Sequence, residues 1–167
     1  MIQITIIKIS GYGPWTLTLG SDREHEIKLN EEHNIFGFID GKVESKVTIM
    51  HLDVDNLTSR GKTISPYEIS ALMFKLYARM SEFFLDKKSL SFFMGGDNFM
   101  VVANSNHKEN AEEFIGIIKN EFGIDLNCGV GTGKTARSAV KLATRSLDTI
   151  RKIRDSGKEN PGIHELT

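Results

Sequence analysis

Apolar residues recur along this chain in two periods, and the switches between the periods mark out its elements. Residues 2–9, IQITIIKI, are β-branched and apolar enough for a strand, and 17–19 offer a second short one after the turn GYGPWT. From 20 to about 34 the chain is polar and charged, with Ile27 and Leu29 as its apolar relief, and reads as a linker or mobile loop. Residues 46–55, KVTIMHLDVD, alternate as a strand does. Met50, Leu52 and Val54 therefore share one face and His51, Asp53 and Asp55 the other. The apolar set is expected to meet helices, leaving the polar set on an open face where a ligand or a partner subunit could lie.

The period then lengthens. Ser65-Pro66-Tyr67-Glu68 combines a capping serine, a proline at the first helical position and the glutamate that completes a capping box. Ile69, Leu72, Met73, Leu76, Tyr77, Met80, Phe83 and Phe84 follow at steps of three and four, which predicts a helix to about 85 with its methionines and aromatics in the core. Two short strands, near 90–94 and 99–103, flank Gly95-Gly96-Asp97-Asn98, the composition of a tight hairpin tip. A second helix, 107–122, turns Ala111, Phe114, Ile115 and Ile118 inward, with Asn106 and Glu109 at its start and Gly123 at its end. Residues 124–130 read as a strand. Thr132 or Thr135 caps a last helix carrying Val140, Ala143, Leu147 and Ile150 to about 154, and the close, DSGKENPGIHELT, is expected to be a loosely held polar tail.

From 46 onward the order is strand, helix, strand, strand, helix, strand and one more helix. This is the βαββαβ order of an α+β ferredoxin-like domain, with helices on one face of an antiparallel sheet. The expected division is an N-terminal strand, turn and polar linker over 1–45, the ferredoxin-like domain over 46–155 and the tail over 156–167.

Composition narrows the function classes. The 167 residues and 18.7 kDa suit one domain, or one domain with an extension. Lys+Arg 21 against Asp+Glu 22 leaves a net charge of −1, so no global field draws the chain to nucleic acid or to an anionic membrane, and neither is expected as a partner. The opening residues lack the charged lead and cleavage site of a signal peptide, and no apolar run reaches the length of a membrane span; a cytoplasmic protein is expected. A single cysteine, Cys128, in an apolar run excludes an intramolecular disulfide framework and reads as a buried structural thiol.

Candidate chemistry lies with two acids at strand ends, Asp53 and Asp97. On neighbouring strands they could face each other and hold a divalent cation against a nucleoside triphosphate, as hard oxygen ligands do for Mg2+. Singly, each also has a plainer reading: a Gly-Gly-Asp-Asn turn is ordinary hairpin chemistry, and an acid at a strand end often caps the next loop. His51 reads either as a group that polarises water or as a hydrogen-bond partner of the acids. The stretch from Gly129 to Thr135, GVGTGKT, departs from a Walker loop because Cys128 stands where that motif needs its first glycine. Its glycines suit either an anion at a helix N-terminus or a glycine-rich strand exit.

An acid-ended strand followed by a Gly-Gly-Asp hairpin resembles the palm of nucleotidyl cyclases, GGDEF diguanylate cyclases and the polymerase subunit of type III CRISPR systems. More narrowly, HLDVDNLT, MGGDNFM and GVGTGKTARSAVKLA resemble the C-terminal half of archaeal GTP cyclohydrolase III, and MIQITIIKI with GYGPWT resembles the start of that family's N-terminal half. The likeness covers most of the chain. It implies a palm-domain, Mg2+-dependent enzyme that opens the imidazole ring of GTP, retains the formyl group and releases phosphate, giving a formylaminopyrimidine nucleotide monophosphate for archaeal riboflavin and deazaflavin synthesis. Carried over, it makes Asp53 and Asp97 the catalytic metal ligands, has Asn56 and Asn98 position nucleotide or acid side chains, and adds Gly95, Gly96 and Lys134 to the nucleotide-binding set, Lys134 as a phosphate ligand.

Two features depart from the family. The family resembles a tandem repeat of two palms, whereas here the first repeat stops soon after the YGPWT turn, and Ser10-Gly11 stands where the family's first strand usually ends in Asp-Asn. An internal deletion, or a compact relative that completes its site as a homodimer or larger oligomer, would each account for this. The readings left open are ring-opening hydrolysis of GTP, nucleotidyl cyclisation with pyrophosphate release, and binding of GTP or another purine triphosphate without turnover.

Overall fold

A computed structural model describes residues 4–7, 16–19, 46–55, 57, 64–103 and 106–167. The polar stretch 20–34, the Ser10-Gly11 pair and Asn56 fall outside the described residues. The chain divides into two units, Met1–Lys46 and Val47–Thr167. In the first, strands β1 (Ile4–Ile7) and β2 (Thr16–Leu19) form an antiparallel ladder from Ile4 opposite Leu19 to Ile7 opposite Thr16.

The second unit runs β3 (Val47–Val54), α1 (Pro66–Asp86), β4 (Leu90–Gly95), β5 (Asn98–Ala103), α2 (His107–Phe122), β6 (Leu126–Gly133), α3 (Ala136–Asp155) and β7 (Ile163–Leu166). Its sheet has the order β4-β5-β3-β6-β7. The first four of these strands pair antiparallel, as the βαββαβ order requires, and β7 joins parallel to β6. β7 lies inside the segment expected to be a loose tail. Four alternating residues are too few to read as a strand from sequence, but Gly162 turns the chain with a φ of 67° and its carbonyl accepts the Cys128 N–H at 2.8 Å, which sets Ile163 beside Cys128.

Local chemistry fixes the helix ends. At α1, Ser65 and Glu68 form the reciprocal box, Glu68 N to Ser65 Oγ at 3.3 Å and Ser65 N to Glu68 Oε2 at 2.8 Å. Of the two candidate threonines, Thr135 caps α3, its Oγ1 accepting the Ser138 N–H. Gly123 closes α2 in the left-handed conformation.

The core forms on one face of the sheet. Met50, Leu52 and Val54 meet Met73, Leu76, Met80, Phe83 and Phe84 of α1 and Ala111, Phe114 and Ile118 of α2. The rings of Phe83, Phe84 and Phe114 pack edge-on or tilted against one another with centroids 5.1–5.2 Å apart. The two helices of the ferredoxin-like unit thus share one face, as its order predicts.

The opposite face, expected to be open, is covered by α3. Gly129, Gly131 and Gly133 alternate along β6, and a Cβ built at Gly131 would collide with the backbone of Ala139 and Ala143, one at Gly129 with that of Ala143 and Leu147. Without side chains there, the helix lies directly on the strand. His51 and Asp53 are consequently buried, at 9% and 5% exposure. No helix among the described residues is long and apolar enough to cross a membrane.

Candidate functional site

The β3 register builds the site. Asp53 stands opposite Asn98 on β5 and opposite Asn127 on β6, so three polar residues line up across the sheet on the α3 side. Asp97 is one residue before Asn98, in the two-residue tip Gly96-Asp97 of the β4–β5 hairpin. Gly95 and Gly96 take φ of 98° and 62°, which side-chain-bearing residues rarely adopt, so these glycines shape the tip that carries the acid. The two sequence-derived acids and Asn98 are therefore brought together.

Charge at the site comes from a residue the sequence reading missed. Arg151 of α3 donates to Asp53 Oδ2 through Nη2 at 2.6 Å and Nε at 3.2 Å. Burial works to lower the Arg151 pKa, but the hydrogen bond and charge of Asp53, then the charges of Asp148 and Asp97, hold it above its usual value. Both acids therefore act on one guanidinium. Arg154 makes the parallel contact to Asp55, which also accepts from Asn127 at 3.3 Å. Two arginines three apart on a helix meeting two aspartates two apart on a strand pin the C-terminal half of α3 over the end of β3. The available signal was this Arg-x-x-Arg spacing, beside apolar positions that had been read only for their packing face.

Asp53 Oδ1 is buried with no hydrogen-bond partner among the described residues. A buried carboxylate oxygen left bare costs free energy unless something of opposite charge or a donor meets it. Among the described residues no three His, Cys, Asp or Glu side chains cluster as a metal cage. One or two carboxylates, with substrate phosphates completing the shell, is nevertheless the usual provision for Mg2+. Asp53 and Asp97 fit that donor set.

Lys134 does not belong to this site. It follows Gly133, which pairs with Val47 at the start of β3, whereas Asp53 lies near that strand's other end. Six residue steps along the strand put about 20 Å between the two ends. β6 runs antiparallel to β3, so its glycine-rich exit and the N-terminus of α3 point away from the acids. The glycines serve helix packing, and Lys134 is solvent-exposed. Asn56 lies outside the described residues. Asp55, spaced like Asp53, is committed to Arg154 and Asn127.

A family model described as GTP cyclohydrolase III matches residues 30–163. The GTP cyclohydrolase III of Methanocaldococcus jannaschii is 34% identical over 110 residues, which cover 65% of this chain and 41% of that protein. That of Methanothermobacter thermautotrophicus is 32% identical over 124 residues, 73% of this chain and 50% of the relative. The chain thus spans about half the length, or less, of the curated relatives it matches. Among solved structures, a GGDEF domain from Pseudomonas aeruginosa superposes with a TM-score of 0.62 at 11% identity, covering 75% of this chain and 84% of that one, a likeness of fold.

Proposed function

The chain belongs to the GTP cyclohydrolase III family, and from that premise we propose that it binds GTP with Mg2+ at Asp53 and Asp97 and opens the guanine imidazole ring by hydrolysis. One water adds at C8 and the C8–N9 bond breaks, leaving the formyl group on the amino nitrogen. Two further waters cleave the phosphoanhydride bonds, releasing two phosphates and a formylaminopyrimidine nucleotide monophosphate. The observation that carries the reading is the buried Asp53 Oδ1, without a hydrogen-bond partner among the described residues and one register position from the hairpin acid, in a chain matched by this family.

Each residue's part follows from its placement. Asp53 and Asp97 present carboxylate oxygens to the cation, which when bound would screen the triphosphate charge and acidify a water. Arg151 adds a fixed positive charge on the α3 side of both acids, suited to phosphate oxygens. Gly95 and Gly96 leave the tip bare: a Cβ at Gly95 would meet nothing within 4 Å, and one at Gly96 only Asn98 Nδ2. A nucleotide could approach the backbone there. A homodimer or larger assembly as the active species, and a cytoplasmic location, are part of the same proposal.

The test is incubation of the purified chain with GTP and Mg2+, following the ultraviolet spectrum together with phosphate and pyrophosphate. Loss of purine absorbance with phosphate release is the expected result. An intact purine with pyrophosphate release would replace ring opening by nucleotidyl cyclisation, and GTP binding without turnover would reduce the chain to a binding module.

A further inference from the structure

A run of three hydrogen bonds leads from α3 to the hairpin acid, and chemistry fixes its direction. Asn98 Nδ2 donates to Asp97 Oδ1 at 2.9 Å. An ionised carboxylate only accepts, so the Asn98 amide oxygen is the atom turned toward His51. His51 Nε2, 3.0 Å from that oxygen, must then carry the ring proton. In the neutral ring Nδ1 is bare and accepts from the Thr144 hydroxyl at 3.2 Å. The imidazole is thus held on both nitrogens, by α3 on one side and β5 on the other.

We infer that His51 is a positioning residue for the cation site: through Nε2–H it locks the Asn98 amide, which fixes the Asp97 carboxylate. The need for such a lock is visible at the tip. Asp97 is only half-buried and follows two glycines, which offer no side chain for the acid to pack against. Asp53 is different, since Arg151 clamps it directly. The hold on Asp97 falls on one oxygen and leaves the other to a cation. Partners that orient a ligand from behind typically change metal affinity 10- to 100-fold when removed.

The inference rests on the Mg2+–GTP reading, and its test separates the two. Calorimetry of Mg2+ binding in the presence of a non-hydrolysable GTP analogue compares the unmodified chain with His51→Gln, whose amide can still donate to Asn98, and His51→Leu, which cannot. Affinity should fall about tenfold or more in His51→Leu and stay within about threefold in His51→Gln. Equal affinity in all three, or equal loss in both variants, would overturn the inference. Ring-nitrogen NMR of the unmodified chain needs no variant to fold: it should show a proton on His51 Nε2, and a ring carrying its proton on Nδ1 alone would equally overturn the inference. Absence of nucleotide binding by the unmodified chain would sink the proposed function, while the tautomer still decides the relay.

Discussion

If Asp53 and Asp97 hold one cation together, as proposed, their replacements should behave as a unit. Asp53→Asn and Asp97→Ala should each lower GTP turnover roughly a thousandfold or more, and the double variant should fall little further, because residues acting as one unit lose their function once. Full activity in either single variant would remove the proposed metal site. Arg151 supplies a second prediction. Replacing it with methionine leaves the Asp53 carboxylate buried without its counter-charge, a change that destabilises by about 1–3 kcal/mol once the partial exposure of Arg151 is allowed for. Mg2+ should then raise the melting temperature of Arg151→Met more than that of the unmodified chain, as read by calorimetric scans. Equal Mg2+ shifts would show that the cation and the guanidinium do not answer the same charge. The acids were legible in the sequence because strand alternation and a Gly-Gly turn place them at strand ends. Their arginine was not, because it lies 98 positions from Asp53 along the chain, and only the helix's seat on the sheet joins them.

That seat is decided by the glycine stripe, and a pair of glycine replacements separates its two possible meanings. At Gly131 an added methyl group meets the backbone of Ala139 and Ala143, which no rotamer change can relieve, so Gly131→Ala should cost about 3 kcal/mol or more and lift α3 from β6. Gly116, exposed in the middle of α2, has nothing within 4 Å of an added Cβ, and Gly116→Ala should stabilise by about 1 kcal/mol through helix propensity. Urea unfolding midpoints measure both, and a harmless Gly131→Ala would return the stripe to a ligand-binding role. The elements themselves were readable: the capping box, the three-and-four spacing of α1 and the hairpin glycines are local signals, and each stands where they predict. The face of α3 was not. Glycines after a strand carry the same local signature whether they cradle an anion or admit a helix backbone, and the choice depends on packing between distant segments. Lys134 was misplaced for a related reason: proximity to glycines suggested a phosphate loop, while the antiparallel course of β6 sends that end of the strand away from the acids.

For the molecule as a whole, stability against pH should have a plateau with a different group bounding each side. On the acid side, the Ser65 backbone and hydroxyl hydrogen bonds hold Glu68 below its usual 4.5, and the Arg79 hydrogen bond does the same for Glu121. A depressed carboxyl binds fewer protons folded than unfolded, so its contribution is present above 4.5 and is lost as pH falls through the folded value. On the alkaline side, burial, then the Asp53 charge, pushes the Cys128 thiol from 9.0 to about 12. Here the folded chain keeps a proton that the unfolded chain has released, so stability declines as pH rises from 9 toward 12, by up to roughly 4 kcal/mol. Melting temperature should therefore be flat between about 4.5 and 9 as far as these groups govern it, and fall on either side. Cys128→Ala tests the assignment, since it removes the thiol whatever it costs in packing: the alkaline decline should flatten while the acid limb stays as it was. Glu68→Gln should soften the acid limb alone. An alkaline decline unchanged in Cys128→Ala would mean that the thiol, though sealed under the sheet beside Ile163 and against the core, is not what limits the fold at high pH.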